Sequence, residues 1–328
     1  MKNEVLKILK SENNYISGAE IAEKLGVSRT YIWKMISKLK EEGYIIDAIN
    51  NKGYKIIDDK DIINKMEISS ILETKFLGKN LIYLDSTNST NEILKLEAEN
   101  NVPDGTVIIS NMQTKGKGRM GREWNSEKNV GIYLSILLKP NIDPRKSPII
   151  TLLAGISVCE ACREITELDI KLKWPNDIIY KNKKISGILT EMNSEIQSIN
   201  YIIVGIGVNV NNSKFPNNIE NIATSLSKES GKKIKRKILI AKILKNFENY
   251  YIEYIKDCNF LKFINKYKYL CDTINKEINV ISIDKKYEAT AINISENGEL
   301  IIQRNNGKIE KIFSGEISIR NKNIGDEI

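Results

Sequence analysis

The sequence contains no histidine. That absence excludes Ser-His-Asp and Cys-His nucleophilic arrangements, His-ligated zinc and iron centres, and the histidine-bearing catalytic loop of protein kinases. Any catalysis must rest on positioning and electrostatics, with Lys, Arg, Asp and Glu as the charged groups. Cysteine is scarce, limited to Cys159, Cys162, Cys258 and Cys271. The Cys159-x-x-Cys162 spacing fits a metal or redox site. It lies, however, in a run of small and apolar residues, 154–162, that reads as a buried helix, and no second close pair completes a four-ligand set. Reduced, buried thiols are expected. Long apolar runs are also missing, since the apolar uncharged stretch 147–159 is too short to span a bilayer. No Walker A sequence occurs. Residues 1–10 alternate charged and apolar side chains and lack the apolar core of a signal peptide. The expectation is a soluble, cytoplasmic protein without a membrane partner.

What is present is enough for two or three domains: 328 residues, 41% hydrophobic and 28% charged. There are 50 Lys plus Arg against 42 Asp plus Glu, a net charge of +8. This mild basic bias is compatible with nucleic acid or an anionic ligand. The first 58 residues read as three short helices and a hairpin. Ser17 and Glu20 have capping-box spacing before Ile21, Ala22 and Leu25. Gly26-Val27 makes a turn, Ser28 caps a third helix with Ile32, Ile36 and Leu39 on one face, and Gly43 ends it. Strand-like residues 44–49 and 54–57 flank the turn Asn50-Asn51-Lys52-Gly53. This is the signature of a winged helix-turn-helix. Ser28, Arg29, Tyr31, Lys34 and Lys38 on the third helix suit phosphate and base-edge contacts with DNA. The unit holds ten Lys/Arg and eight Asp/Glu, so DNA binding must come from local clustering.

Residues 58–65 are charged and read as a linker helix. From 68 to about 270, strand-like runs (81–84, 106–110, 131–138, 171–173, 178–180, 184–191, 201–210) alternate with helical ones (91–99, 148–166, 235–254), a layered mixed α/β pattern. Segment 211–234 is polar and reads as a long loop of the kind that is functional or mobile. Residues 277–320 change to five short strands separated by turn signals, the pattern of a small β-barrel.

Four segments carry candidate chemistry. In 113–124 (QTKGKGRMGREW), Gly116, Gly118 and Gly121 match G-x-G-x-x-G. The segment nevertheless leads into a strand, no acidic residue follows about twenty positions on, and Lys115, Lys117, Arg119 and Arg122 crowd it. Close backbone approach plus cations suits a phosphate or carboxylate better than a Rossmann turn. In 173–177 (KWPND), Asn176 and Asp177 stand at a strand end, where Asp177 could hold a metal or orient a cation; turn formation is the alternative. Lys184 follows across a hairpin. Asp85, Ser86, Thr87 and Asn88 offer polar groups to a ligand head, or cap the helix 91–99. Gly205-Ile-Gly-Val-Asn209 lets a strand approach a ligand, or another element, closely.

Together these motifs, in this order from residue 4 to 320, resemble the biotin–protein ligases. With the N-terminal unit they are similar to the bifunctional ligases that also repress the biotin operon. The matching segments are 116–124, 173–177, Lys184 with its following strand, Ser86–Asn88, Gly205–Asn209 and 315–320. Lys117 departs from an arginine common in the family, keeping charge but losing the bidentate fork.

The resemblance implies an α+β architecture. A winged helix-turn-helix would span 1–58, a linker 59–66, a class II synthetase-like catalytic domain 67–270, and an SH3-like β-barrel 271–328. It implies activation of biotin with MgATP to biotinoyl-5'-AMP, transfer to a lysine of a biotin carboxyl carrier domain, and adenylate-responsive repression by a homodimer on operator DNA. Lys184, Arg119 and Asp177 would be catalytic. Ser86, Thr87, Asn88, Gln113, Lys117, Gly118, Arg119 and Lys184 would bind biotin. Arg119, Arg122, Trp124, Asn176, Lys184, Asn209 and Arg320 would bind the nucleotide, with Mg²⁺ on its phosphates. Three alternatives are a ligand-sensing repressor without ligase activity, a lipoate–protein ligase, and a winged-helix redox repressor with a Rossmann domain.

Overall fold

The computed structural model describes residues 1–59, 61–281, 286–313 and 318–321, the side chains of Asp58, Asp59 and 318–321 excepted. The chain falls into two compact units, Met1–Ser70 and Ile71–Ile328.

In the first unit, α1 (Lys2–Ser11), α2 (Gly18–Leu25) and α3 (Arg29–Glu41) precede the antiparallel hairpin of β1 (Tyr44–Ile49) and β2 (Gly53–Asp59). Sequence sets these boundaries. Glu20 N–H donates to Ser17 Oγ while Ser17 N–H donates to Glu20 Oε2, a complete capping box. Gly26 ends α2 in the left-handed region at φ 64°, and Ser28 accepts from Tyr31 N–H to start α3. Leu6, Leu9, Ile21, Ile32, Ile36 and Leu39 meet in one core. At Gly53, φ is +106° and a Cβ would lie 2.1 Å from the Ile16 carbonyl oxygen, so only glycine lets Tyr54 pair with Ile16 there.

Among the described residues, 58–64 form no helix. β2 runs on to Asp59, and α4 (Lys65–Ser69) begins only where Asn64 accepts from Glu67 N–H. The buried Glu67 carboxylate accepts from Tyr44 Oη at 2.7 Å and pairs with Lys10. Burial, then the hydrogen bond to Glu67, pushes the Tyr44 hydroxyl pKa far up.

The second unit is built on a seven-stranded sheet in the order β3-β4-β5-β9-β8-β7-β6. Its strands are β3 (Leu81–Leu84), β4 (Val107–Ser110), β5 (Gly131–Leu138), β6 (Lys171–Lys173), β7 (Asp177–Tyr180), β8 (Lys183–Ser194) and β9 (Ile199–Asn209). The β3/β4 pair is parallel and the other neighbours are antiparallel, so this is not a doubly wound sheet. α5 (Thr90–Glu99) packs on β4, β5 and β9 through Leu94 and Ala98. α6 (Pro148–Thr166) packs on β6, β7 and β8, and also against α8 (Arg236–Ile255). It buries Cys159 and Cys162, and burial pushes the Cys159 thiol up to about 12. A Cβ at Gly155 of α6 would approach Ile188, whereas one at the neighbouring Gly187 would meet Trp124. Successive strand residues face opposite ways, so α6 covers one face of the sheet and Trp124 lies on the other.

Segment 211–234 is not one open loop. It contains α7 (Leu226–Ser230) and buries Phe215, Thr224, Ser225 and Leu226. An unanticipated helix, α9 (Leu261–Leu270), follows α8. The C-terminal strands β10 (Lys276–Ile281), β11 (Lys286–Ile294), β12 (Leu300–Arg304), β13 (Ile309–Ile312) and β14 (Ser318–Asn321) form an antiparallel sheet in the order β13-β12-β11-β10-β14. Among the described residues it is an open sheet with β13 and β14 at its edges. No helix of the described residues is long and apolar enough to cross a membrane.

Candidate active site

The sheet face opposite α6 carries a cleft of about 850 Å³. Its floor is made by glycines. A Cβ at Gly207 would lie 2.5 Å from the Trp124 indole nitrogen, and one at Gly205 would lie 2.3 Å from Asn91 Oδ1. β9 therefore carries no side chain where Trp124 and Asn91 approach it.

The glycine-rich segment is a tight hairpin. Trp124 N–H donates to Gly116 O at 2.9 Å and Gly118 N–H to Arg122 O at 2.7 Å, while Met120 and Gly121 take positive φ at its tip. This is not the strand-to-helix turn of a Rossmann fold. The hairpin carries Arg119 into the cleft, where Nη1 donates to Asn176 Oδ1 at 3.0 Å. Asn176 in turn donates to Ile188 O at 2.9 Å, which fixes it on β8. Burial lowers the Arg119 pKa, opposed by the Asp177 charge; the guanidinium stays protonated at neutral pH.

Lys184 is positioned by a bulge. The β7/β8 register shifts between Ile178 and Ile179. In an unbroken strand, Lys184 and Gly187 would face opposite ways. The bulge brings them together, so that a Cβ at Gly187 would lie 3.1 Å from Lys184 Nζ. The Lys184 ammonium stands 2.6 Å from Asp177 Oδ1, an ion pair without hydrogen-bond alignment, and 5.4 Å from the centre of the Trp124 ring. Backbone hydrogen bonds tie Lys184 to 219–224: Lys184 N–H to Ile222 O, and Thr224 N–H to Lys184 O. Asn209 donates to Thr224 O at 3.1 Å and holds the same segment.

At the polar end, Gln113 Oε1 accepts from Thr90 N–H at 2.8 Å and Thr90 Oγ1 at 3.0 Å. Ser135 Oγ donates to Thr90 Oγ1 at 2.7 Å. Asn91 donates to Glu191, Lys95 joins Glu191 to Glu92, and Glu92 reaches Lys117 at 2.9 Å. Lys117 and Lys95, in that order, hold the Glu92 carboxyl below its ordinary range.

The sequence holds two tandem copies of Ser-Thr-Asn, and the structure brings the second, Ser89-Thr90-Asn91, to the cleft wall. The expected copy, Ser86, Thr87 and Asn88, is outside it. Its backbone carbonyls instead accept from Thr114 and Lys115 N–H and anchor the base of the glycine hairpin. α5 starts at Thr90 with Ser89 as its N-cap residue, so neither Ser86 nor Asn88 caps it. Gln113, Lys117, Gly118, Arg119, Arg122, Trp124, Asn176, Asp177, Lys184 and Asn209 all line the cleft. Arg320 lies on β14, paired by backbone with Asn279, and its side chain lies outside the described residues.

Comparison with known proteins fits this geometry. Residues 83–209 match the biotin/lipoate A/B protein ligase family, residues 2–55 an HTH domain, and residues 273–320 the biotin protein ligase C-terminal domain. The bifunctional ligase/repressor BirA of Bacillus subtilis (strain 168) is 37% identical over 309 residues, covering 94% of each chain. The chain belongs to the bifunctional ligase/repressor family. The Escherichia coli (strain K12) member is 26% identical over 312 residues, covering 95% of each chain. A structure of the Aquifex aeolicus biotin protein ligase in complex with biotin and ATP superposes with a TM-score of 0.65 at 36% identity, covering 74% of this chain and 99% of that one.

In this ligase/repressor, Trp174 of the KWPND segment is structural. It is 2% exposed, its backbone N–H donates to Thr273 Oγ1, and its Nε1 donates to Gly298 O, both at 3.0 Å. On α3, Arg29, Lys34 and Lys38 are exposed, as a DNA-facing helix requires. Tyr31 instead turns partly inward against the N-terminal core. The exposed aromatic residue of that helix is Trp33, which sequence reasoning missed.

Proposed function

We propose that the cleft binds biotin and MgATP, joins them as biotinoyl-5'-AMP, and passes biotin to a lysine of a biotin carboxyl carrier domain. The convergence of Lys184, Asp177 and Arg119 beside the Gln113–Thr90 pair carries this reading. In the first step the biotin carboxylate oxygen attacks the α-phosphorus, the bond to the β-phosphate oxygen breaks, and pyrophosphate leaves. Bringing two anions together is the difficulty. Lys184 and Arg119 lower that repulsion and stabilise charge developing at phosphorus. Asp177 orients the Lys184 ammonium, and Asn176 orients Arg119. In the second step the neutral carrier lysine amine attacks the acyl carbon, the bond from that carbon to the phosphate oxygen breaks, AMP leaves, and the amine proton passes to solvent.

Gln113, Thr90, Ser89 and Asn91 offer the donors and acceptors that a ureido ring needs, and we assign them to biotin with Lys117 and Gly118. Lipoate has no ureido group to use them. Trp124, Arg122 and Asn209 serve the adenylate, and Arg320 is assigned to it by resemblance alone. No group of three His, Cys, Asp or Glu side chains able to hold a metal occurs among the described residues, so magnesium is read as part of the MgATP substrate.

The N-terminal unit is read as the operator-binding winged helix of a repressor that acts as a homodimer, with the adenylate as corepressor. The expected divisions at 58, 66 and 270, the closure of the last segment as an SH3-like barrel, and a cytoplasmic location complete the reading.

The test is transfer of biotin to a carrier domain with MgATP, followed by mass spectrometry. A biotin-sized shift that requires ATP supports the ligase. Biotin binding without a shift points to a ligand-sensing regulator instead.

A further inference from the structure

α3 carries an exposed residue that the reading above leaves without a role. Trp33 is 60% exposed in the middle of the helix. On a helix surface, residues three and four apart are neighbours, so its indole stands beside Arg29, Thr30 and Ser37, and Lys34 and Lys38 form the adjoining stripe. Arg29, Lys34 and Lys38 are all exposed, and the helix has no carboxylate before Glu41, its last residue. The backbone there is closed, since Ser37 Oγ donates to Trp33 O. An indole is a large apolar surface with one N–H donor. Here it is presented to water inside a cationic face that repels other basic surfaces and attracts a polyanion.

We propose that Trp33 is a specificity-determining residue of the operator-binding helix and packs on thymine C5-methyl groups in the major groove. Among the unmodified bases, the thymine methyl is the apolar feature of the major-groove edge; the other features are hydrogen-bonding atoms. The flanking cations contact phosphates and set position, which carries no sequence information. Trp33 is the large apolar group on that face able to read a base. The inference rests on the operator-binding reading of this unit.

The test uses the full chain with biotin and MgATP. The probe is a randomised duplex DNA pool, from which bound sequences are selected and a consensus site is synthesised with thymine or with uracil. The wild type is expected to prefer the thymine site about tenfold or more. Trp33→Ala should bind both versions equally and weakly, with the salt dependence of nonspecific binding retained because the cations remain. Trp33→Phe should keep part of the thymine preference. Biotin transfer should be unchanged in both variants, and an unchanged far-UV circular dichroism spectrum should report that the N-terminal unit still folds. Equal wild-type affinity for thymine and uracil sites overturns the proposal, as does a consensus without thymine or wild-type affinity in Trp33→Ala. If Trp33→Ala instead weakens self-association without altering the thymine preference, the indole serves a second copy of the chain and the proposal falls. A wild type that selects no site at all overturns the operator reading itself, a distinguishable result.

Discussion

Lys184 Nζ lies 2.6 Å from Asp177 Oδ1, across a hairpin whose two turn residues, Lys181 and Asn182, both have positive φ. The contact joins β7 to β8 at the mouth of the cleft. It holds the ammonium in place before substrate arrives, so little reorganisation remains at the moment of reaction. Lys184→Ala is expected to abolish adenylate formation, and Asp177→Asn to lower its rate by roughly ten- to a thousandfold while biotin still binds. Pyrophosphate release under single-turnover conditions reads both. Normal adenylate yield in Lys184→Ala would overturn the assignment.

Glu92 holds Lys117 on the α5 side of the glycine hairpin. The pair is half exposed on the lysine side, so its net strength is at most about 1 kcal/mol. Glu92→Gln should release Lys117 toward an incoming carboxylate and lower the biotin KM by less than about fivefold, with kcat unchanged. The difference should vanish at high salt. Because Glu92 ionises more readily in the folded chain, its contribution to stability is present above the ordinary carboxylate pKa. It should be lost as pH falls through the depressed folded value, a loss that Glu92→Gln does not show in acid unfolding curves.

Gly207→Ala would place a methyl carbon 2.5 Å from the indole nitrogen of Trp124. The ring must move, at a cost of about 1–3 kcal/mol. The expected result is weaker biotin or ATP binding by calorimetry. Unchanged affinities for both would show that the indole position does not matter to ligand.

Glu248 is 3% exposed, and its carboxylate accepts from the backbone N–H groups of Lys75, Phe76 and Leu77. Glu248→Ala leaves three donors without this acceptor and should destabilise the second unit by about 3 kcal/mol. A Tm lower by several degrees in thermal unfolding would register this. An unchanged Tm would show that solvent replaces the carboxylate fully.

Much of the fold was legible because local chemistry and tertiary structure agree. The Ser17–Glu20 box, the Ser28 cap and the apolar face of α3 each name their element. Residues 131–138 are apolar apart from Ser135 because β5 lies inside the sheet between β4 and β9. The misreadings have a common physical source. The two Ser-Thr-Asn copies are identical in chemistry, and only the start of α5 and the buried Ser135 beneath Thr90 decide which one meets the cleft. The helical run beginning at 91 was the available signal, since it places the second copy at the helix N-terminus. Tyr31 and Trp33 are both aromatic, but packing on the N-terminal core decides that Tyr31 turns inward. The charged segment 58–65 suggested a helix, yet residues through Asp59 pair with β1. Segment 211–234 looked like a free loop because its partners, Asn209 and Lys184, lie in other elements.

The two hydrogen bonds from Trp174 to Thr273 and Gly298 tie the turn between β6 and β7, which carries Asn176 and leads into Asp177, to the segments that precede β10 and β12 of the C-terminal sheet. Ligand held at the cleft therefore also opposes fraying of that sheet, and the linkage is thermodynamic rather than sequential. Amide hydrogens of β10 to β12 should exchange more slowly when biotin and MgATP are bound, though no ligand atom needs to touch them. A chain cut after α9 would lose both acceptors of Trp174, and with them part of the affinity for ligand. Through Trp174, the C-terminal sheet is thus coupled energetically to the cleft.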